Sequence, residues 1–258
     1  MRVWLVDIGN TRVKISVSLD GALSGPVTFP TAGALGGLGR ALERIAADAG
    51  AAFPFDGGVI SSVVPSLTAP VAGALERQTR GHVVLADVDA YMRAGLAADV
   101  DAPAEVGQDR LAACLGALGL CAPPVAVVDF GTATTVNFVM PVEGGGAAFV
   151  GGAIMPGLTL MGRSLSEGTA RLPLVEPRAD VRAVSRDTSG NIAAGIVLGA
   201  AGAVQRIVAE GGRELGVEFS LVVTGGARHP VFPHLGPRAV EAGDLGLRGL
   251  LALYDSNA

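Results

Sequence analysis

VWLVDIGNTRVKISV, residues 3–17, and VAVVDFGTATTVNFV, residues 125–139, are the two stretches on which the reading of the fold turns. Each runs from an apolar strand into an aspartate, an apolar residue, a glycine and small polar residues. Each then enters a second, alternating strand. Asp7 and Asp129 lie 122 positions apart, close to half of the 258 residues. That spacing makes them an internal repeat of two rather than a solenoid. An aspartate closing a buried strand is costly unless it meets water, a cation or a polar ligand; the plainer alternative is that Asp7 only opens a turn. Lys14 raises a similar question. It is the only lysine in the chain, against 18 arginines. A compact ammonium suits a tight site that a planar guanidinium does not, unless the lysine stands there by chance.

Around the repeat the pattern alternates. Residues 2–7 read as a strand, and VKISVSLDGALSGPVTF as two more joined at Asp20-Gly21. Leu35, Leu38, Leu42 and Ile45 predict a helix that ends at Gly50. GGVISSVVP reads as a buried strand, PSLTAPVAGALERQTR as a helix, HVVLA as a strand and GQDRLAACLGALGLC as a helix. After the second copy come glycine-rich strands and a turn in GGGAAFVGGAIMPG. A long helix then runs over roughly 188–214, followed by a strand in FSLVVTGGA and a closing helix in LGLRGLLALY. Alternating strands and helices predict an α/β fold. The expected halves are 1–122 and 123–258, facing each other across a cleft.

Composition narrows the function. Hydrophobic residues at 50% and charged residues at 17% supply an ample core and argue against disorder. A net charge of −5 without a basic stripe argues against nucleic-acid binding. Cys114 and Cys121 show no metal spacing and read as thiols of a reducing cytosol. No signal peptide is evident, so a cytoplasmic protein is expected. The uncharged run 111–128 has membrane length, but Gly116, Gly119, Pro123 and Pro124 break it and Asp129 ends it. A helix followed by a buried strand is therefore expected there, with no membrane span.

A glycine turn after a strand presents backbone N–H groups and lets phosphate approach closely. Asn10, Thr11, Thr132 and Thr134 add donors. Two such turns could grip a polyphosphate, with the aspartates holding its cation. VVTGGA, residues 222–227, could admit a base or ribose, or be an ordinary strand-to-helix turn. No G-x-x-x-x-G-K-[ST] occurs, which argues against a P-loop kinase. His82, His229 and His234 lack ligand spacing.

Taken together, DIGNTRVK (7–14), SSVVP (61–65), GQDR (107–110), DFGTATT (129–135), GGAIMPG (151–157) and DTSGNIAAG (187–195) resemble the ATPase domain shared by actin, the sugar kinases and the Hsp70 chaperones. Within that superfamily the match is closest to the type III pantothenate kinases, and Gly-x-Asp-Arg is its most specific element. The resemblance implies two similar actin-like (ribonuclease H-like) halves around a nucleotide cleft. It implies ATP-dependent phosphorylation of pantothenate, the first step of coenzyme A synthesis. A related small-molecule kinase and a non-catalytic nucleotide sensor are the alternatives.

The resemblance also distributes roles. Asp7, Ile8, Gly9, Asn10, Thr11, Arg12, Val13 and Lys14 form the ATP segment. Asp7 would meet the phosphates through Mg²⁺ or another divalent cation, and Lys14 would neutralise their charge. Thr132 would meet the nucleotide from the other half. Asp129 would bind a monovalent cation, K⁺ or NH₄⁺. Asp109 would accept the proton of the attacking hydroxyl, and Arg110 could fork onto a carboxylate or phosphate. Taken alone, Asp109-Arg110 would be a cap with a surface ion pair. Gly107, Gln108 and Val100 complete the pantothenate pocket, although Val100 stands where the family usually has tyrosine. Thr188 would contact substrate across a homodimer interface; taken alone, DTSG is a helix cap. The helix after Thr188, with Ala193, Ala194, Gly195, Val197, Gly199, Ala200, Ala201 and Ala203, is poor in charge, and a partner subunit is its expected cover.

Overall fold

The computed structural model describes residues 1–50 and 53–258. Its elements run β1 (Arg2–Ile8), β2 (Arg12–Leu19), β3 (Ala22–Leu23), β4 (Val27–Pro30), α1 (Ala34–Asp48) and β5 (Gly57–Ser62). Next come α2 (Pro65–Glu76), β6 (Val83–Leu85), α3 (Val88–Arg93), β7 (Leu96–Ala98) and α4 (Gln108–Leu118). Then follow β8 (Val125–Phe130), β9 (Ala133–Pro141), β10 (Ala147–Pro156), α5 (Leu158–Glu167) and α6 (Thr188–Leu215). The chain closes with β11 (Ser220–Thr224), β12 (Ala239–Glu241) and α7 (Leu245–Asn257). The uncharged run 111–128 is indeed divided between α4 and β8.

Two compact units emerge. The first holds Met1–Leu120, Glu143–Phe149 and Leu245–Ala258; the second holds Cys121–Val142 and Val150–Asp244. The units differ from simple halves because α7 and the start of β10 count with the first.

In the first unit the sheet order is β3-β2-β1-β5-β6, with β4 also paired to β2. The strand period of 2 sends Trp4, Val6 and Ile8 to one face. There they pack with Val13, Ile15 and Val17 against Leu38, Leu42 and Ile45 of α1 and Val71 and Leu75 of α2. α7 covers the other side of β1 and β5 and packs against α4. The two helices approach backbone to backbone at Gly116 and Gly249. A Cβ on Gly249 would run into the Ala112 carbonyl oxygen, and one on Gly116 into that of Leu245. No side chain larger than hydrogen fits at this crossing.

In the second unit the order is β12-β11-β8-β9-β10. β10 starts in the first unit, where Ala147–Phe149 pair in parallel with Leu96–Ala98. In 144–157 the expected turn falls at Gly144–Gly146 and the expected strands are one strand, Ala147–Pro156, which keeps its course although Gly151 and Gly152 have positive φ. Ala126, Val128, Phe130 and Val136 pack against Ile192, Ile196, Val197, Ala200 and Val204 of α6. One face of the long apolar helix is thus covered by its own chain. By length and composition α6 is also apolar enough to cross a membrane, and one of its faces packs in this chain's own core.

The repeat is visible in register. Asp7 lies opposite Lys14, and Asp129 lies opposite Thr135. Gly9 N–H donates to the Arg12 carbonyl across two residues, while Gly131 N–H donates to the Ala133 carbonyl across one. The second turn is shorter by a residue, so the lysine position has a threonine for its structural counterpart.

Gly249→Ala tests the helix crossing. Helix propensity alone would stabilise the variant by about 1 kcal/mol. Overpacking against the α4 backbone is expected to win, with a net loss of about 2–3 kcal/mol and a Tm lower by roughly 5–10 °C in thermal unfolding. An unchanged or raised Tm would contradict the close crossing.

Candidate active site

The β1–β2 hairpin places the first turn. Ile8 and Val13 are buried in the core, so only their backbone is available to a ligand; their side chains are structural. Asn10, Thr11 and Arg12 are exposed, and Asp7 and Lys14 are half-buried. Thr31, just past β4, ties the turn down. Its hydroxyl donates to the Gly9 carbonyl at 2.7 Å, and its N–H donates to the Thr11 carbonyl at 3.0 Å. The sequence pattern left Thr31 unmarked, because a threonine so far along the chain has no periodic signature. Lys14, Asp7 and Ser61 share one row across β2, β1 and β5. Residues in register project to the same face. Ser61 is fully buried, and its hydroxyl has no hydrogen-bond partner among the described residues.

α4 presents Asp109. Gly107 is the residue before the helix and offers no side-chain cap. Asp109 is exposed and curls back over the helix start. Its Oδ1 accepts the Arg110 N–H at 2.9 Å and lies 2.5 Å from where a Gly107 Cβ would stand. A carboxylate in a first helical turn is favoured by the helix dipole. Arg110 is half-buried, with its guanidinium 5.0 Å above the Phe149 ring. That stacking is a cation–π contact between residues 39 positions apart in the chain, which no local pattern reveals. Burial lowers the Arg110 pKa, with Cys114 and Asp109 opposing the shift; the group stays charged at neutral pH. Deeper in the helix, burial pushes the Cys114 thiol up to about 12, so it is inert as a nucleophile. Val100 is half-buried just past β7, where an aliphatic side chain supplies neither ring nor hydroxyl.

In the second unit β8 delivers Asp129, half-buried, with Thr224 beside it in parallel register. Two of the motif glycines crowd this turn. A Cβ on Gly225 would collide with Asp129 Oδ1 and the Phe130 backbone, and one on Gly157 with the carbonyls of Gly131 and Thr132. Gly157 N–H donates to the Thr132 carbonyl at 3.1 Å, and Ala227 N–H to that of Phe130 at 2.9 Å. GGAIMPG and TGGA therefore brace one turn and leave Thr132 exposed. Thr188 is the exposed first residue of α6. The cap is its neighbour Asp187, whose carboxylate accepts the Gly190 N–H at 2.8 Å.

The sequence-predicted residues therefore fall in two sets. Asp7, Gly9, Asn10, Thr11, Lys14, Val100, Gly107, Gln108, Asp109 and Arg110 belong to the first unit; Asp129, Thr132 and Thr188 belong to the second. Among the described residues no three His, Cys, Asp or Glu side chains form a metal cluster. Carboxylates at strand ends fit a hard cation that takes its other oxygens from phosphate and water, as Mg²⁺ does.

Paired α/β units, each opening on a hairpin with an Asp-x-Gly turn, define the actin-like ATPase and sugar-kinase fold. Solved structures agree on that class. A protein described as a Baf family transcriptional activator from Campylobacter jejuni superposes with a TM-score of 0.63 at 18% identity, covering 98% of each chain. A ROK hexokinase from Thermus thermophilus superposes at 0.52 with 16% identity over 100% of each chain. Sequence comparison is narrower. The family model for type III pantothenate kinase matches residues 3–210. A type III pantothenate kinase of Nitratidesulfovibrio vulgaris is 36% identical over 97% of this chain and 95% of its own. One from Thermomicrobium roseum is 37% identical over 76% of this chain and 73% of its own. The chain belongs to the type III pantothenate kinase family.

The half-buried position of Lys14 opposite Asp7 generates a prediction about ATP use. Lys14→Arg conserves charge but needs room for a planar fork, and kcat/KM for ATP is expected to fall about tenfold, a loss of roughly 1.4 kcal/mol. Values of kcat and KM both within about twofold of wild type in a coupled ADP assay would make Lys14 incidental.

Proposed function

We propose that this chain transfers the terminal phosphoryl group of ATP to the primary hydroxyl of pantothenate, giving ADP and 4′-phosphopantothenate, the first step of coenzyme A synthesis. The family match along most of the chain carries this reading. Phosphoryl transfer needs positioning and charge neutralisation more than covalent chemistry. Gly9, Asn10 and Thr11 cradle phosphate with backbone and side-chain donors, and Lys14 supplies a point charge. Thr132 contacts the nucleotide. A divalent cation, when bound, neutralises phosphate charge, and Asp7 is its protein ligand. Asp129, a hard oxygen donor, holds a monovalent cation, K⁺ or NH₄⁺.

Asp109 accepts the hydroxyl proton. It is exposed, so substrate can reach it, and it sits on a helix rather than a loose loop. Gln108 and Gly107 line the same helix start. Arg110, steadied on Phe149, forks onto the pantothenate carboxylate or a phosphate oxygen. Such a preserved base and steadied arginine favour an enzyme over a nucleotide sensor. Val100 favours one second reading: without the tyrosine ring and hydroxyl, the acceptor is a related small hydroxy acid. The enzyme works in the cytoplasm, in keeping with the free thiols Cys114 and Cys121.

A homodimer completes the proposal. The face of α6 away from its core carries Gly195, Gly199 and Gly202, all exposed, and a Cβ at each would meet nothing within 4 Å. Two such glycine faces can approach closely, and Thr188 at the helix start then serves the partner's pantothenate site.

Asp109→Asn is expected to leave ATP binding nearly intact and lower turnover by about two to four orders of magnitude in the coupled ADP assay with pantothenate. Near-wild-type turnover would sink the base assignment. Sedimentation velocity is expected to show a dimer for the wild type and a folded monomer for Gly199→Arg. A wild-type monomer at working concentration would remove the shared-site reading of Thr188.

A further inference from the structure

We infer that Tyr91 is a positioning residue for Asp109, acting through the main chain of Gln108. The inference rests on the reading of Asp109 as the base. α4 begins without the usual means of fixing a helix start. Gly107 provides no capping side chain, and a glycine there leaves the backbone its widest freedom. The helix is held at its far end by the glycine crossing with α7. At its near end Tyr91 of α3 reaches the main chain, its hydroxyl donating to the Gln108 carbonyl oxygen at 2.9 Å, beside the stacking of Arg110 on Phe149. Gln108 directly precedes Asp109, so this bond orients the peptide from which the carboxylate projects.

Tyr91 is built to hold that position. The ring is fully buried, so the hydroxyl is aimed by packing rather than by solvent. α3 is itself anchored. Asp87 caps it by accepting the Ala90 N–H at 2.7 Å, and the Asn257 amide of α7 donates to the Ala90 carbonyl at 3.1 Å. The same two helices, α3 and α7, thus brace α4 at its two ends. Burial, reinforced by the nearby carboxylates of Asp7 and Asp109, raises the phenol pKa well above its ordinary value. The hydroxyl stays a donor throughout the working pH range. The carbonyl it binds accepts in addition to its ordinary role in the helix. Losing the bond therefore frees the direction of Asp109 without removing the helix. Misplacing a catalytic group by a fraction of an ångström is enough to cost turnover, so the loss is expected in kcat rather than in ATP binding.

The test is a double-mutant cycle of Tyr91→Phe and Asp109→Asn, with steady-state kinetics and hydrogen exchange on the intact enzyme. Tyr91→Phe keeps the ring and removes one oxygen. It is expected to lower kcat about tenfold, with KM for ATP within about twofold, and to speed exchange of the amides at Arg110 and Leu111. In the Asp109→Asn background the same change is expected to cost less than about twofold, because the group being aimed is gone. Tyr91→Phe with wild-type kcat, or an equal loss in both backgrounds, would overturn the inference while leaving a slow Asp109→Asn to uphold the base. Full turnover of Asp109→Asn would overturn the base assignment and the inference with it.

Discussion

The contact between the α4 and α7 backbones at Gly116 and Gly249 is the constraint on which the candidate active site depends. It brings the last helix of the chain onto a helix from its middle, so residues 245–258 fold with the first unit rather than with their sequence neighbours. Interiors are close-packed, and two helices meeting without side chains between them have little freedom to slide. α4 therefore has a fixed axis, along which the Tyr91 bond to Gln108 sets the residues at its start. A catalytic carboxylate on such a helix is better placed than one on a loop.

The two turns share a motif and differ in what surrounds it. In the first, a two-residue loop, the Thr31 tie and the row Lys14, Asp7, Ser61 make a charged strand end. In the second, a one-residue loop is braced by Gly157 and Gly225, and Asp129 stands in register with Thr135 and Thr224. The repeat conserves geometry and varies chemistry. A lysine beside the first aspartate and a threonine beside the second give the two strand ends different charge.

Much of this was legible in the sequence because it rested on periodicity and on repetition. The paired hairpins, the long α6 and the closing α7 follow from apolar spacing and from the two Asp-x-Gly turns. The short α3 and β7 were not seen, since VDAYMR and LAA are too brief to show a period and depend on packing for their form. α5 was missed because LTLMGRSLSE follows a glycine-rich strand and carries no side-chain cap. In the candidate site, Asp7, Lys14 and Asp109 were readable from motifs. Tyr91, Thr31 and Phe149 were not, because each acts across a gap in sequence through a hydrogen bond or a ring contact. The apolar character of α6 points to a partner; its own core covers one face of the helix, and Gly195, Gly199 and Gly202 stand exposed on another.

The central claim is that this fold holds a pantothenate hydroxyl for attack on ATP, and acceptor-dependent turnover tests it most directly. Purified protein with ATP, Mg²⁺ and K⁺ is incubated with and without pantothenate, ADP is followed continuously, and the acceptor is weighed by mass spectrometry. The account predicts that ADP forms only when pantothenate is present, in equal amount to a pantothenate heavier by one phosphoryl group. ADP formed at the same rate without pantothenate, or an acceptor of unchanged mass, would contradict it.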